Sequence, residues 1–332
     1  MRQKMRSGKR RWLTIVLILM DVVALVCFFT LYGPLESFRN WYVTTALSTG
    51  SHKYLAYIFY SPDRLEEIMA ENQVYVTNES SDIDSIDFDL ETETYANEYE
   101  REILEREEGQ LYKLIEISGK NYSGWITVIY QPSRLAMAVS ETDRGQTVTS
   151  FARKTNALVA VNGGAYTFGK GNKTSIGGLL ADGKVVCESD EVEELVCLTK
   201  DGKLLLTYDT VQNLEESGNI EWALYFTPFL IVNGVRSTYT GNAGGQQPRT
   251  AIGQRKDGII LLVTIDGRGG SGSFGINFSD LTDIFERYGC YNAANLDGGG
   301  STMLAINGQL INNPVSFRKE GERRVYDALV YY

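Results

Sequence analysis

The run from Trp12 to Tyr32 constrains this 332-residue chain more than any other feature, because it is apolar except for Thr14, Asp21 and Thr30. At about 1.5 Å per residue a helix of that length crosses the roughly 30 Å of hydrocarbon in a bilayer. Arg2, Lys4, Arg6, Lys9, Arg10 and Arg11 precede it with no acid among them. Such a basic excess holds its flank on the cytoplasmic side. The sequence therefore predicts a cytoplasmic arm over residues 1–11, a transmembrane anchor over residues 12–32, and an extracytoplasmic remainder. A cleaved signal peptide is the competing reading, but the run exceeds the about 7–15 residues of a signal core and no small-x-small cleavage site follows closely. Trp12 and Tyr32 fall where interfacial aromatics belong. Asp21, near mid-helix, costs about 2.5–3.5 kcal/mol on insertion scales. It is either a contact for a membrane partner or a protonated acid that so apolar a segment tolerates, and both readings stay open.

Net charge bounds the partners. The chain carries −10 overall and the basic arm +6, so the exported part stands near −16. A surface that acidic argues against nucleic acid or anionic lipid and requires any anionic substrate to meet a local group of arginines. With 43% hydrophobic residues, the exported part has ample material for one large core or two small ones. Of the cysteines, Cys27 lies in the apolar run, leaving Cys187, Cys197 and Cys290 outside it. Three cannot all pair; a Cys187–Cys197 bridge and free buried thiols are the alternatives. No zinc-ligand spacing occurs, and His52 is the sole histidine, which argues against Ser–His or Cys–His hydrolases and His-ligated metal enzymes.

Residues 33–110 read as a helical stalk and acidic linker. Ser61-Pro62-Asp63 is a helix start, and acids dominate from Glu79 to Glu108, with Tyr95, Tyr99, Ile103 and Leu104 at helical spacing. Asp82, Asp84, Asp87 and Asp89 lack the glycine turn and the terminal glutamate of a calcium loop. Beyond Leu111 the pattern changes to short β-branched and aromatic runs: 112–117, 125–130, 135–140, 158–162, 204–208, 224–232, 259–266 and 291–296. Asp182-Gly183, Asp201-Gly202, Asn233-Gly234, Asp257-Gly258 and Asn307-Gly308 punctuate them as turns. The clearest helix is 279–288, closed by Gly289. The expected fold is α+β: a β-rich mixed-sheet core with a few flanking helices over residues 111–332, preceded by the transmembrane helix and stalk.

Four segments place glycine and polar residues at the ends of apolar strands, where loops converge on ligands: 161–166, 247–253, 265–268 and 295–302. Asp266 and Asp297 each end a strand and precede glycine, so each carboxylate is expected at a strand tip, where a simple Asx-turn is the alternative. In order, these segments read Asn-Gly-Gly-aromatic, Pro-Arg-Thr-Ala-Ile-Gly, Asp-Gly-Arg and Asn-Leu-Asp-Gly-Gly-Gly-Ser-Thr-Met. That series resembles the phosphodiester glycosidase family, which includes the mannose 6-phosphate uncovering activity and many bacterial surface proteins. The resemblance runs from about Leu111 to Tyr332 and departs in the glycine-dense stretch 269–275. It implies hydrolysis of a sugar joined through its anomeric carbon to a phosphodiester, here by a bacterial, membrane-anchored member acting on a cell-surface glycopolymer or glycoconjugate.

The chemistry of that reaction agrees with the residues. A phosphate monoester leaves without much protonation, so a histidine acid is dispensable. A carboxylate is needed to activate water or to attack, with cationic or backbone donors on the departing phosphate. Asp297 and Asp266 are the expected carboxylates, Asp297 the base or nucleophile. Arg249 and Arg268 are the expected phosphate clamps, since a guanidinium bonds two oxygens at once. The amides of Gly298, Gly299, Gly300 and Ser301 suit an anion nest. Asn162 with Gly163 and Gly164 suits sugar hydroxyls or a water, and Tyr166, Thr250 and Thr302 complete the expected binding surface. Arg323 and Arg324 read as surface charges, one of them a weaker site candidate.

The sequence requires no cofactor; Asp297 and Asp266 could help hold Ca²⁺ or Mg²⁺, but no ligand spacing demands it. Two other readings compete. One is a non-catalytic module that binds anionic polysaccharide or tethers an assembly machine. The other is a dinucleotide site, since 270–275 matches G-x-G-x-x-G between a strand and a helix, although 267–272 matches equally. Asn78, Asn121, Asn172 and Asn277 head sequons that matter only in a eukaryotic secretory route.

Overall fold

The computed structural model describes residues 2–49, 52–77, 79–90, 94–167, 174–316 and 319–332, with the backbone alone for residues 2–10, 319 and 320. The sequons at Asn78 and Asn172 and the basic side chains before Arg11 lie outside the described residues. The chain forms two compact units, 1–72 and 73–332.

The first unit is helical: Arg2–Tyr32, Glu36–Leu47, Tyr54–Phe59 and Pro62–Ala70. Within the first of these, Arg11–Tyr32 is long and apolar enough to cross a membrane, with a mean hydropathy of 2.7 and no buried residues over its most apolar window. Leu31, Val43, Ala46, Ala56, Tyr60, Leu65 and Ile68 close a small core. The last helix starts as its sequence predicts, with the Ser61 hydroxyl accepting the Arg64 amide at 3.3 Å and Pro62 in the first turn.

The second unit is built from three large sheets and two two-stranded ones, whose strand pairs among the described residues are all antiparallel. The first, seven-stranded, has Arg249–Arg255 at its centre, between Ile260–Ile265 and Cys290–Asn295. The second places Val159–Asn162 between Leu304–Ile306 and Asp327–Tyr331. The third carries Ile220–Tyr225 between Leu179–Ala181 and Glu193–Thr199. Their inner faces share one core, in which Ile252 and Leu262 of the first sheet, Val161 and Leu329 of the second, and Val196 and Trp222 of the third are at most 1% exposed. Each outer face is covered by a short amphipathic helix: Phe278–Arg287, Val148–Thr155 and Val211–Ser217 respectively. That arrangement satisfies every sheet face with apolar surface and leaves the strand ends for function.

The expected run 224–232 divides into Ile220–Tyr225 and Phe229–Val232 because Pro228 has no amide hydrogen to give a ladder. Residues 73–110, grouped with the stalk on sequence, pack into the second unit: Val74 pairs with Tyr239, and Ile103 is fully buried against the first sheet. The cysteines are free. Cys187 and Cys197 lie on strands separated by two others, about 14 Å apart at the usual strand spacing, beyond the reach of a bridge.

Candidate active site

The site forms where the first sheet hands the chain to the second. Strand Cys290–Asn295 ends in the first sheet, and the Leu296 amide still bonds the Thr250 carbonyl there at 2.8 Å. One residue later the Asp297 amide bonds the Gly163 carbonyl of the second sheet at 3.1 Å. The tight turn Gly299–Ser301 follows, and the chain enters Leu304–Ile306. Asp297 is thus held from both sides at the seam.

Several of the expected site residues build this seam rather than face a ligand. Asn162 is 1% exposed and bonds through both ends of its amide: Nδ2 donates to the Asp297 carbonyl at 2.5 Å, while Oδ1 accepts Thr250 Oγ1 at 2.7 Å and the Met303 amide at 3.1 Å. Asn162 and Thr250 are therefore positioning residues for the Asp297 loop. Gly163 has no room for a side chain, since a Cβ there would run into Asp327 Oδ1. Gly299 adopts the left-handed φ of +61°, and a Cβ would stand 2.8 Å from the Arg268 guanidinium.

Asp297 is half-buried, and its Oδ2 is enclosed with no hydrogen-bond partner among the described residues. Burial pushes its carboxyl up to about 6, against the pull of the Ser301 hydroxyl, Arg323, the Gly298 amide and Arg268. Arg268, half-buried, also sits in the left-handed region (φ 57°), which costs a non-glycine residue about 1–2 kcal/mol. Its guanidinium is tied to Gln247 Oε1 at 3.0 Å and to the Val315 carbonyl at 3.2 Å. Burial and then the neighbouring Arg323 lower its pKa, while Asp297 raises it. Arg323 lies 5.6 Å over the Tyr166 ring, and a Cβ at Gly300 would be 3.1 Å from its Nη1. The fully buried Tyr166 completes the group through its hydroxyl, 3.3 Å from Ser301 Oγ. Burial, then the Asp297 charge, push that phenol up to about 12.

Four expectations change against this geometry. The Asp266 carboxylate, expected beside Asp297 as a second acid, is taken up by its neighbours: Asn312 Nδ2 and the Asn313 amide bond its Oδ1 at 2.9 and 3.1 Å, and Ser271 Oγ and the same amide bond its Oδ2 at 2.8 and 3.2 Å. Those donors fill the roughly four acceptor positions of a carboxylate, which makes Asp266 a tie between two loops. Arg249 turns away from Asp297; its guanidinium donates to the carbonyls of Gly244, Gly245 and Ile276 and lies 4.2 Å over the Phe278 ring. Burial, then Arg268, bring its pKa down to about 9, and the cation shapes the 244–249 loop. The turn at Gly298 is not an open anion nest, because the Gly298, Gly299 and Ser301 amides go to the Asp297 carboxylate, the Pro248 carbonyl and the Gly298 carbonyl. Thr302 is fully buried, with its carbonyl accepting Asn312 Nδ2 at 3.0 Å. Two residues join the site: Arg323, on sequence a surface charge or at most a weaker site candidate, and Asp327, which the sequence patterns do not single out. Arg323 stands there in place of Arg249. Asp327, at the start of the last strand, accepts the Gly164 amide at 2.7 Å.

Among the described residues no group of three or more His, Cys, Asp or Glu side chains could hold a metal ion. The glycine-dense loop is likewise unlike a dinucleotide cradle. Its amides at Gly269, Gly270, Gly272 and Ser273 bond carbonyls within the loop, and strand Ile260–Ile265 pairs antiparallel on both sides.

The chain is 28% identical over 182 residues to the SPbeta prophage-derived protein YomE of Bacillus subtilis (strain 168), covering 52% of this chain and 28% of that protein. It is 27% identical over 191 residues to the N-acetylglucosamine-1-phosphodiester alpha-N-acetylglucosaminidase of Homo sapiens, covering 52% of this chain and 36% of the enzyme. The chain thus spans well under half the length of these curated relatives. The zebrafish enzyme's catalytic domain, auto-inhibited by its pro-peptide, shares the fold with a TM-score of 0.58 at 22% identity, over 68% of this chain and 85% of that one. The phosphodiester glycosidase (NAGPA) family profile matches residues 155–332, more than half the chain and every residue of the site just described, and the chain belongs to that family.

Proposed function

We propose that this protein hydrolyses the anomeric C–O bond of a sugar 1-phosphodiester. The observation that carries the reading is Asp297, a carboxylate with one enclosed, unpartnered oxygen, set between the two half-buried guanidinium groups of Arg268 and Arg323. Relatives of the same family are N-acetylglucosamine-1-phosphodiester alpha-N-acetylglucosaminidases. A phosphodiester bound by the two arginines brings its sugar carbon towards Asp297. The carboxylate then takes a proton from water as that water's oxygen bonds the anomeric carbon, or bonds the carbon directly to form a glycosyl ester that water afterwards cleaves, freeing the sugar and the carboxylate. The C–O bond breaks with its electron pair going to the phosphate, whose added charge the guanidinium groups stabilise. Ser301 and the Gly298 amide hold the carboxylate, and Asn162 with Thr250 holds its loop.

The candidate span Arg11–Tyr32 and the six basic residues from Arg2 to Arg11 support an anchor with a cytoplasmic N-terminus. The enzyme would then act outside, on a cell-surface glycopolymer or its phosphodiester-linked cap. Protease added to sealed cells that express the full chain is expected to degrade residues beyond Gly33; complete protection would overturn this orientation.

The full-length protein in detergent, offered a panel of glycosyl 1-phosphodiesters, is expected to release free sugar. Asp297→Asn should lower kcat by about 10²–10⁴-fold with the fold intact by circular dichroism. Full turnover by that variant would remove Asp297 from the chemistry.

A further inference from the structure

Asp327 opens strand Asp327–Tyr331, is 1% exposed, and touches the seam directly. Its Oδ1 takes the Gly164 amide and occupies the space a side chain at Gly163 would need. Its Oδ2 is buried without a hydrogen-bond partner among the described residues, as is Oδ2 of Asp297, whose amide bonds the carbonyl of that same Gly163. We infer that Asp327 and Asp297 carry one proton as a pair, resting on Asp327, and that this proton sets the charge with which the site meets a phosphodiester.

Two adjacent carboxylates with enclosed, unpartnered oxygens cannot both stay ionised without a large desolvation and repulsion cost. The surroundings decide which keeps the proton. Asp297 faces Arg268, Arg323, the Ser301 hydroxyl and the Gly298 amide, all of which favour its anion. Asp327 faces Asp297 from the seam, Tyr166 from the loop after Val159–Asn162, and Tyr326 beside it, whose hydroxyl accepts from Cys187 of the third sheet. None of these is a cation. Opposite it on the neighbouring strand stands Val139. Burial and the Asp297 charge accordingly raise the Asp327 pKa to about 7, above that of Asp297.

The consequence follows from charge. With Asp327 protonated, one carboxylate opposes two guanidinium groups, and the net positive charge suits a phosphodiester monoanion. With both acids ionised the charges cancel, and an anion gains less on entry. Asp327 is a positioning residue that acts through Asp297. The effect on substrate rests on the hydrolase reading above, whereas the shared proton does not.

Sulfate keeps its charge across the neutral range and serves as the probe, titrated calorimetrically into the full-length protein in detergent. Its Kd is expected to weaken roughly tenfold between about pH 6 and about pH 8.5. In Asp327→Asn, whose amide is always neutral, that dependence should vanish. A flat Kd in the parent, or the same slope in the Asn variant, would overturn the proposal. Infrared titration keeps it testable if Asp327→Asn fails to fold. The carbonyl stretch of a buried protonated carboxyl should persist at neutral pH in the parent and titrate away at lower pH in Asp297→Asn, where no neighbouring charge holds the proton. An unchanged midpoint in that variant would also overturn it. If no glycosyl phosphodiester is hydrolysed while sulfate and the infrared band behave as expected, the hydrolase reading falls and the shared proton stands.

Discussion

At the scale of single residues, the site places function where stability suffers. Asp297 and Asp327 have carboxyl pKa values raised by burial, to about 6 and about 7, from the ordinary 3.8. The folded state therefore binds their protons more tightly than the unfolded chain does. Stability is then greatest below the unfolded value of 3.8 and is lost as pH rises through about 6 and about 7. The expected cost at pH 8 is on the order of a few kcal/mol for the pair. Urea denaturation of Asp297→Asn and Asp327→Asn should show both variants more stable than the parent at about pH 8, and the gain should shrink towards about pH 4. Parent-like stability at both pH values would contradict the burial of these groups.

Among the elements, turn chemistry and anchoring ties account for most of what holds the sheets in register. Asp182-Gly183, Asn233-Gly234 and Asn307-Gly308 have positive φ at both positions, as a two-residue hairpin with right-handed strand twist requires. The acidic helix Glu98–Leu104 is capped by Asn97, which accepts the Glu100 amide at 2.9 Å. It is bound to the first sheet by Arg255, whose Nη2 lies 2.8 Å from both Glu100 and Asp257, and whose Nη1 reaches the Tyr288 carbonyl at 2.8 Å. Arg255 is 5% exposed, so removing it strands two acids in a dry interface. Arg255→Ala should destabilise the protein by about 3–5 kcal/mol in urea titration. A loss below about 1 kcal/mol, the range of an exposed ion pair, would mean that the helix is not pinned there.

For the whole molecule, the boundary between units has a direct consequence. A chain starting at Gln73 retains strand Val74–Tyr75, buried Ile86 and Ile103, and should unfold in one cooperative transition. One starting at Leu111 lacks them and should melt about 10 °C lower by calorimetry; equal Tm values would show that residues 73–110 contribute nothing to the core. Periodicity and turn residues were enough to read the apolar N-terminal helix, the strand-rich character beyond Leu111, the hairpin turns and the Asn295–Met303 string, because each depends on neighbours within a few positions. Asp297 was legible for the same reason: it ends an apolar strand and precedes three glycines. The partners of Asp297 were not. Arg323 looks like any surface arginine, Asp327 opens its strand with no glycine to mark it, and Arg249 and Asp266 carry stronger local signals than either. Which arginine faces the carboxylate, and which acid sits beside it, depend on how strand ends from two sheets meet across Gly163, a contact between positions more than a hundred residues apart that no local pattern encodes.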